Sequence, residues 1–447
     1  MQMKLIGFAT LLVFASLSAG IAHPVHAQDG PPQFVRDAVD AVMAMLDSDG
    51  DAAIEAFINN AMTLSADRDR EALIERLSAI RDEVLGIRDG VAVEAEPDGV
   101  RLILSAGAVE KQIRVVLGPE GIFDIYLLEA AESILLTRDN LNETFDRLEA
   151  EGMSGVVHVR LDGEVALERA FGAANEELGL PNTINTVFGT GSRPIDYTRA
   201  AVYLLDQQGR IALDDTIGTY FEEVPRDKRS ITIRHLMTGR SGLPDFFHTD
   251  DDWDPDLAWI DRRTAERRLL SQRLLFEPGT DSKHSHGAFV LLAALIERVT
   301  GKTYYGFIRE SLLDPAGMSR TGEYGESRGL SVSDFAVGGG PQFVGLPNIP
   351  PNWGPTSWLI KGSGGMYSTR DDLLKFYDCL RSGKVLDAGH NEAFRQPSVH
   401  IDGSDRGFEL FSAYNPPGNE IYLFLNARGE RGKARQLFRA LERLAGM

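Results

Sequence analysis

Cysteine is nearly absent from this chain. Cys379 stands alone in 447 residues, so no intramolecular disulfide can form and stability has to come from core packing. Basic residues are outnumbered: 46 Lys and Arg face 66 Asp and Glu, leaving a net charge of −20. Such a balance repels phosphate backbones and anionic bilayer surfaces, which excludes nucleic acid and acidic membranes as partners. After the first two dozen residues no run is long and apolar enough to span a bilayer. Repeats and low-complexity tracts are also missing. What is present is ordinary for soluble globular proteins, with 43% hydrophobic and 25% charged residues, and the length suffices for two or more domains.

The N-terminus reads as a secretory signal peptide over residues 1–27. Lys4 supplies the positive start, Leu5 to Ala22 an apolar run, and Val25-His26-Ala27 a small-residue cleavage site. The expected mature chain begins near Gln28 and is periplasmic or secreted, with no membrane span once the leader is removed. No cysteine lies in this segment, which argues against lipoprotein processing.

Residues 31–131 form a separate small α+β unit in this reading. Val35, Ala38, Val39, Val42, Met43 and Leu46 recur at helical spacing, and further helices are expected over about 52–61 and 70–85. Asp47 to Asp51 is a turn cluster; it has no glutamate to close a calcium loop. Strand patterns follow at 90–96, 99–106, 110–117 and 122–128, separated by Gly- and Pro-containing turns. Helices followed by a meander resemble the cone-shaped NTF2-like domains in element order.

A second domain, residues 148–447, opens with strands 155–161 and 164–171 joined at Asp162-Gly163, a hairpin signal. Helical patterns dominate from Ser192 to about Leu313. Strands return at 407–414 and 420–425, and an amphipathic helix covers about 433–444.

Landmarks along this second domain fall in a telling order. They include Phe188 to Ser192, Leu205 to Asp215, Ile231 to Thr238, Ser241-Gly242-Leu243-Pro244, Phe276 to Thr280, Pro315-Ala316-Gly317-Met318 and Gly364 to Leu373. In these the chain resembles the serine β-lactamase-related family, which includes class C β-lactamases, D-alanyl-D-alanine carboxypeptidases and related esterases. The resemblance implies an α+β fold, a β-lactamase/transpeptidase-like antiparallel sheet flanked by helices with a helical subdomain beside it. It also implies a metal-free, cofactor-free active site between the two, with a nucleophilic serine opening a buried helix.

Each of the family's three catalytic motifs is altered here. In S-x-x-K, Ser192 keeps the nucleophile position but Ile195 stands where the proton-accepting lysine belongs. Ser192 is then either a retained nucleophile or simply a helix cap. The Tyr-x-Asn motif becomes His284-Ser285-His286, so both functional residues are histidines. In one reading His284 hydrogen-bonds Ser192 as general base, in the other both are drifted cleft histidines; no orienting carboxylate is assignable. The His/Lys-x-Gly triplet maps to His400-Ile401-Asp402, with Asp402 in the glycine position and its charge expected to face substrate. Three histidines, His284, His286 and His400, are thus expected along one cleft. They raise zinc as an idea, but the resemblance implies no metal. The leading functional expectation is an exported hydrolase-like protein with lost or strongly reduced amidase and esterase activity, binding a small-molecule or cell-envelope ligand. The alternatives are an active Ser192/His284 esterase on small acyl esters and a non-catalytic scaffold.

Overall fold

The computed structural model describes residues 12–13, 33–48, 50–63, 69–87, 90–96, 98–106, 109–118, 121–128, 134–340, 344–404, 406–429 and 433–447. Of the expected signal peptide only Leu12–Val13 lies among them. The chain divides into two compact units, Met1–Ser133 and Ile134–Met447.

In the first unit the apolar stripes make helices α1 (Gln33–Leu46), α2 (Asp51–Ala61) and α3 (Arg70–Glu83). Gly50, rather than an aspartate, occupies the cap position of α2. Four strands follow, β1 (Gly90–Glu96), β2 (Gly99–Ala106), β3 (Val109–Gly118) and β4 (Gly121–Leu128), paired antiparallel in sequence order. Leu12–Val13 pairs parallel to β1 at the edge. Val42, Leu46, Ile54 and Leu77 from the helices pack on Leu102, Ile113 and Ile125 from the sheet, closing a core of this unit's own residues.

The second unit is built on a five-stranded antiparallel sheet. Its strands are β5 (Met153–Leu161), β6 (Glu164–Phe171), β7 (Ser398–Ser404), β8 (Phe408–Asn415) and β9 (Asn419–Arg428), in spatial order β7-β8-β9-β5-β6. β5 and β6 turn at Asp162 and Gly163, both at positive φ, which is what the Asp-Gly pair is suited to. Alternate side chains go to opposite faces. Val157, Val159, Leu423 and Leu425 pack beneath α4 (Leu141–Ala150) and the C-terminal helix Lys433–Leu444, while Val156, Tyr422 and Phe424 face the helical layer. That layer contains α5 (Pro194–Gln207), α6 (His286–Thr300) and α7 (Arg370–Arg381). Gly287 through Ile296 of α6 are all buried. Buried Leu269 leaves no room for a side chain at Gly287, where a Cβ would come 2.5 Å from Leu269 Cδ2.

Candidate active site

Ser192 is delivered by a short strand, Phe188–Gly189, that pairs with Met366–Ser368. Thr190 then donates twice to the Met366 carbonyl, from its N–H at 3.1 Å and its hydroxyl at 2.9 Å. Gly191 turns the chain at φ +53, where a Cβ would meet the Gly403 nitrogen of β7 at 2.6 Å. This close approach sets Ser192 beside the edge of β7. Pro194 opens α5 without costing a hydrogen bond, and Ile195 leans partly buried on the helical core. The lysine's place is thus filled by packing.

The next residue, Arg193, roots this turn. Its guanidinium is fully buried, donates from Nη1 to Tyr377 Oη at 2.7 Å and from Nη2 to Ser412 Oγ at 3.0 Å, and pairs with Asp402. Burial works against its charge, but Asp402, Tyr377 and Asp196 outweigh this and hold the guanidinium protonated. Asp402 therefore does not present a charge to substrate as expected; it is spent on Arg193. His400, two residues earlier on the same face of β7, lines a small recess with Arg193, Tyr377, Arg381 and Ser412. Its imidazole is held below the ordinary range by burial first and by Arg193 second. Among the described residues no hydrogen bond joins it to Ser192, His284 or His286.

The Ser192 hydroxyl meets His286, not His284. Ser192 Oγ lies 3.0 Å from His286 Nε2. His286 Nδ1 lies 2.7 Å from Asp245 Oδ1, and the same oxygen accepts the His286 backbone N–H at 2.9 Å. The geometry follows from how α6 begins. Ser285 caps the helix by accepting from the Ala288 N–H, and its hydroxyl donates to the Pro244 carbonyl at 2.7 Å. Gly287 N–H donates to the Asp245 carbonyl. The Pro244-Asp245 segment is thereby stitched to the first turn of α6. Phe246 stacks on the His286 ring, with centroids 4.6 Å apart and planes 15° apart. Burial would raise the Asp245 carboxyl, but the hydrogen bond and charge of His286 prevail and hold it below the usual carboxylate range.

His284 is exposed, edge-on to His286 with centroids 4.6 Å apart, and no hydrogen bond joins it to Ser192 among the described residues. One face of the ring is open to solvent, but the protein packed around the rest of it desolvates it first, and His286 second, and together they keep its imidazole below the ordinary range. Its position is set from behind: Lys283 N–H donates to the Gly239 carbonyl, and Gly239, at φ +71, leaves no space for a Cβ next to the Lys283 carbonyl.

Asp245 is the candidate site residue that sequence reasoning missed. It directly follows Ser241-Gly242-Leu243-Pro244, a segment recognised for its turn chemistry, and a carboxylate at the end of that turn was the available signal. Serine, imidazole and carboxylate in hydrogen-bonded series form the arrangement that activates a hydroxyl for acyl transfer.

Comparisons with known proteins agree with this architecture. A family model described as Beta-lactamase matches residues 141–414. Penicillin-binding protein 4* of Bacillus subtilis (strain 168) is 27% identical over 305 residues, 64% of this chain and 65% of that protein. A D-aminopeptidase of Brucella anthropi is 34% identical over 262 residues, 57% of this chain and 47% of its own. This chain thus spans no more than about two-thirds of either relative. In fold, a crystal structure of a penicillin-binding protein from Bacillus halodurans superposes with a TM-score of 0.54 at 22% identity, covering 68% of this chain and 99% of that one. The family match starts at residue 141, so the NTF2-like likeness of the first unit stays an expectation from element order.

Proposed function

The chain belongs to the beta-lactamase family, and from that premise we propose that it is a serine acyl hydrolase acting on esters through Ser192, His286 and Asp245. The observation that carries this reading is the continuous hydrogen-bonded series Ser192 Oγ to His286 Nε2 at 3.0 Å and His286 Nδ1 to Asp245 Oδ1 at 2.7 Å.

With its proton on Nδ1 and directed at Asp245, His286 offers the Nε2 lone pair to the Ser192 hydroxyl. The base moves from the lysine and tyrosine positions of the family to the asparagine position. Ser192 Oγ attacks the ester carbonyl as its proton passes to Nε2. The resulting oxyanion is stabilised by the start of α5, with the Ser192 N–H and the adjoining β7 edge as the expected donors. Imidazolium then protonates the departing alkoxide, the acyl group stays on Ser192, and water activated by the same imidazole releases it as acid. Asp245 keeps the tautomer and steadies the imidazolium. Esters are favoured over amides because the residue that would grip a substrate amide has become the base.

The expectation of lost activity rested on the alteration of all three catalytic motifs, and the case against a histidine base on the lack of an orienting carboxylate. Asp245 supplies that carboxylate, which favours the active reading. Work outside the cytoplasm is supported by the leader expected over residues 1–27. The test is p-nitrophenyl acetate turnover by wild type, Ser192→Ala, His286→Ala and Asp245→Asn, with fluorophosphonate adducts read by intact mass. Each of the three variants is expected to lose on the order of 10²–10⁴-fold in kcat, and Ser192→Ala to lose the adduct. Wild-type turnover matched by all three variants would leave only surface chemistry and remove the proposal.

A further inference from the structure

The side chains of Asp245, His284 and His286 each bring a ligand atom within 4.8 Å of the other two. His284 has no role in the proposed triad, yet it is held edge-on against His286. Two imidazoles and one carboxylate are the donor set of open, catalytic-type zinc sites, where bonds of about 2.0–2.2 Å hold neighbouring ligands roughly 3.3–3.6 Å apart. Asp245 Oδ1 and His286 Nδ1 lie 2.7 Å apart as a hydrogen-bonded pair, so binding an ion requires that pair to open to this spacing and the exposed His284 side chain to close on it. Borderline ions such as Zn²⁺ suit these donors better than Mg²⁺ or Ca²⁺, which prefer all-oxygen sites.

We propose that Asp245, His284 and His286 form a Zn²⁺ site whose occupation switches the Ser192 hydrolase off. The blocking role rests on the triad reading, whereas the binding site does not. The two roles exclude each other by lone-pair count. An ion on His286 Nε2 takes the electron pair that accepts the Ser192 proton. An ion on Nδ1 forces the ring proton onto Nε2, which then donates toward Ser192 and cannot accept from it. In either case Asp245 is diverted from orienting the ring. The exposed face of His284 gives the ion access from solvent.

The experiment uses the purified full chain, stripped with a chelator and titrated with Zn²⁺ and, for its visible d–d absorption, Co²⁺. Expected are one ion per chain, esterase activity that falls in step with occupancy, and recovery on adding chelator. His284→Ala should keep chelator-treated turnover but bind the ion at least about 10-fold more weakly and resist inhibition; Asp245→Asn should lose the cobalt spectrum. Equal zinc affinity in His284→Ala and wild type places the ion elsewhere and overturns the site, as does the absence of a cobalt spectrum in wild type. Activity that rises with zinc overturns the blocking role. A chain that is inactive in chelator but still binds cobalt through His284 retires the triad and the switch with it, while keeping the ion site.

Discussion

A nucleophile is useful only if its backbone holds it still, and at Ser192 that task falls on its two neighbours. Gly191 has φ +53 and lies against the backbone of Gly403, so any side chain there forces the turn and the β7 edge apart. Gly191→Ala is expected to cost about 1–3 kcal/mol of stability. Displacing Ser192 from His286 should also cut kcat on the order of 10²-fold. Parallel urea unfolding and p-nitrophenyl acetate kinetics check this, and unchanged values in both would show that the turn tolerates a Cβ. At this scale the sequence disclosed the participants better than their roles. Ser192 was visible as a retained motif position and His286 as an altered one. The base role went to His284 because it occupies the family's tyrosine position, but a histidine is shorter than a tyrosine. Reach to Ser192 was decided by which residue begins α6. Asp245 stayed hidden because its partner lies 41 residues downstream.

Among elements, the decisive joints are buried ion pairs and turns that tie α5 to the sheet. Arg193 at the start of α5 and Asp402 on β7 are both buried, so removing one partner strands a charge. Asp402→Ala is expected to destabilise by about 3–5 kcal/mol, whereas the same substitution at an exposed acid such as Asp162 should change little; thermal or urea midpoints distinguish them. A second joint is sensitive to acid. The Arg320 hydrogen bond, and next those from Ser331, depress the Asp334 carboxyl to about 2. Its folded value lies below its unfolded one, so its stabilisation is complete above about pH 4 and is lost as pH falls toward about 2. The Asp334 carbonyl accepts the Val187 N–H, one residue before the strand that leads to Ser192. Asp334→Asn should therefore be less stable at neutral pH and show a shallower decline over that acid window. Parallel stability–pH curves for the two proteins would contradict the assignment. The elements themselves were largely legible, because alternation and turn residues are local signals: β5 and β6, with the Asp162-Gly163 turn between them, fall where the pattern places them.

At the scale of the whole molecule, each unit carries its own core. Every buried residue of the cluster around Leu102 and Ile113 comes from before residue 126, and the clusters around Phe424 and Leu437 begin at Val156 and Ile134. A fragment 134–447 is expected to unfold cooperatively and to take a fluorophosphonate at Ser192; an insoluble or unlabelled fragment would show that the first unit is needed for folding. The sequence alone determined the order of elements, the sheet-and-helix architecture and the departure from the family's three motifs, because these depend on periodicity, turn chemistry and residue identity along a contiguous stretch. Only the tertiary structure decided which histidine meets Ser192, which carboxylate meets that histidine, and that Asp402 is neutralised by Arg193 instead of facing the cleft. Those pairings depend on how α6 docks on Pro244-Asp245 and how β7 lies against Gly191, long-range contacts that no local pattern encodes.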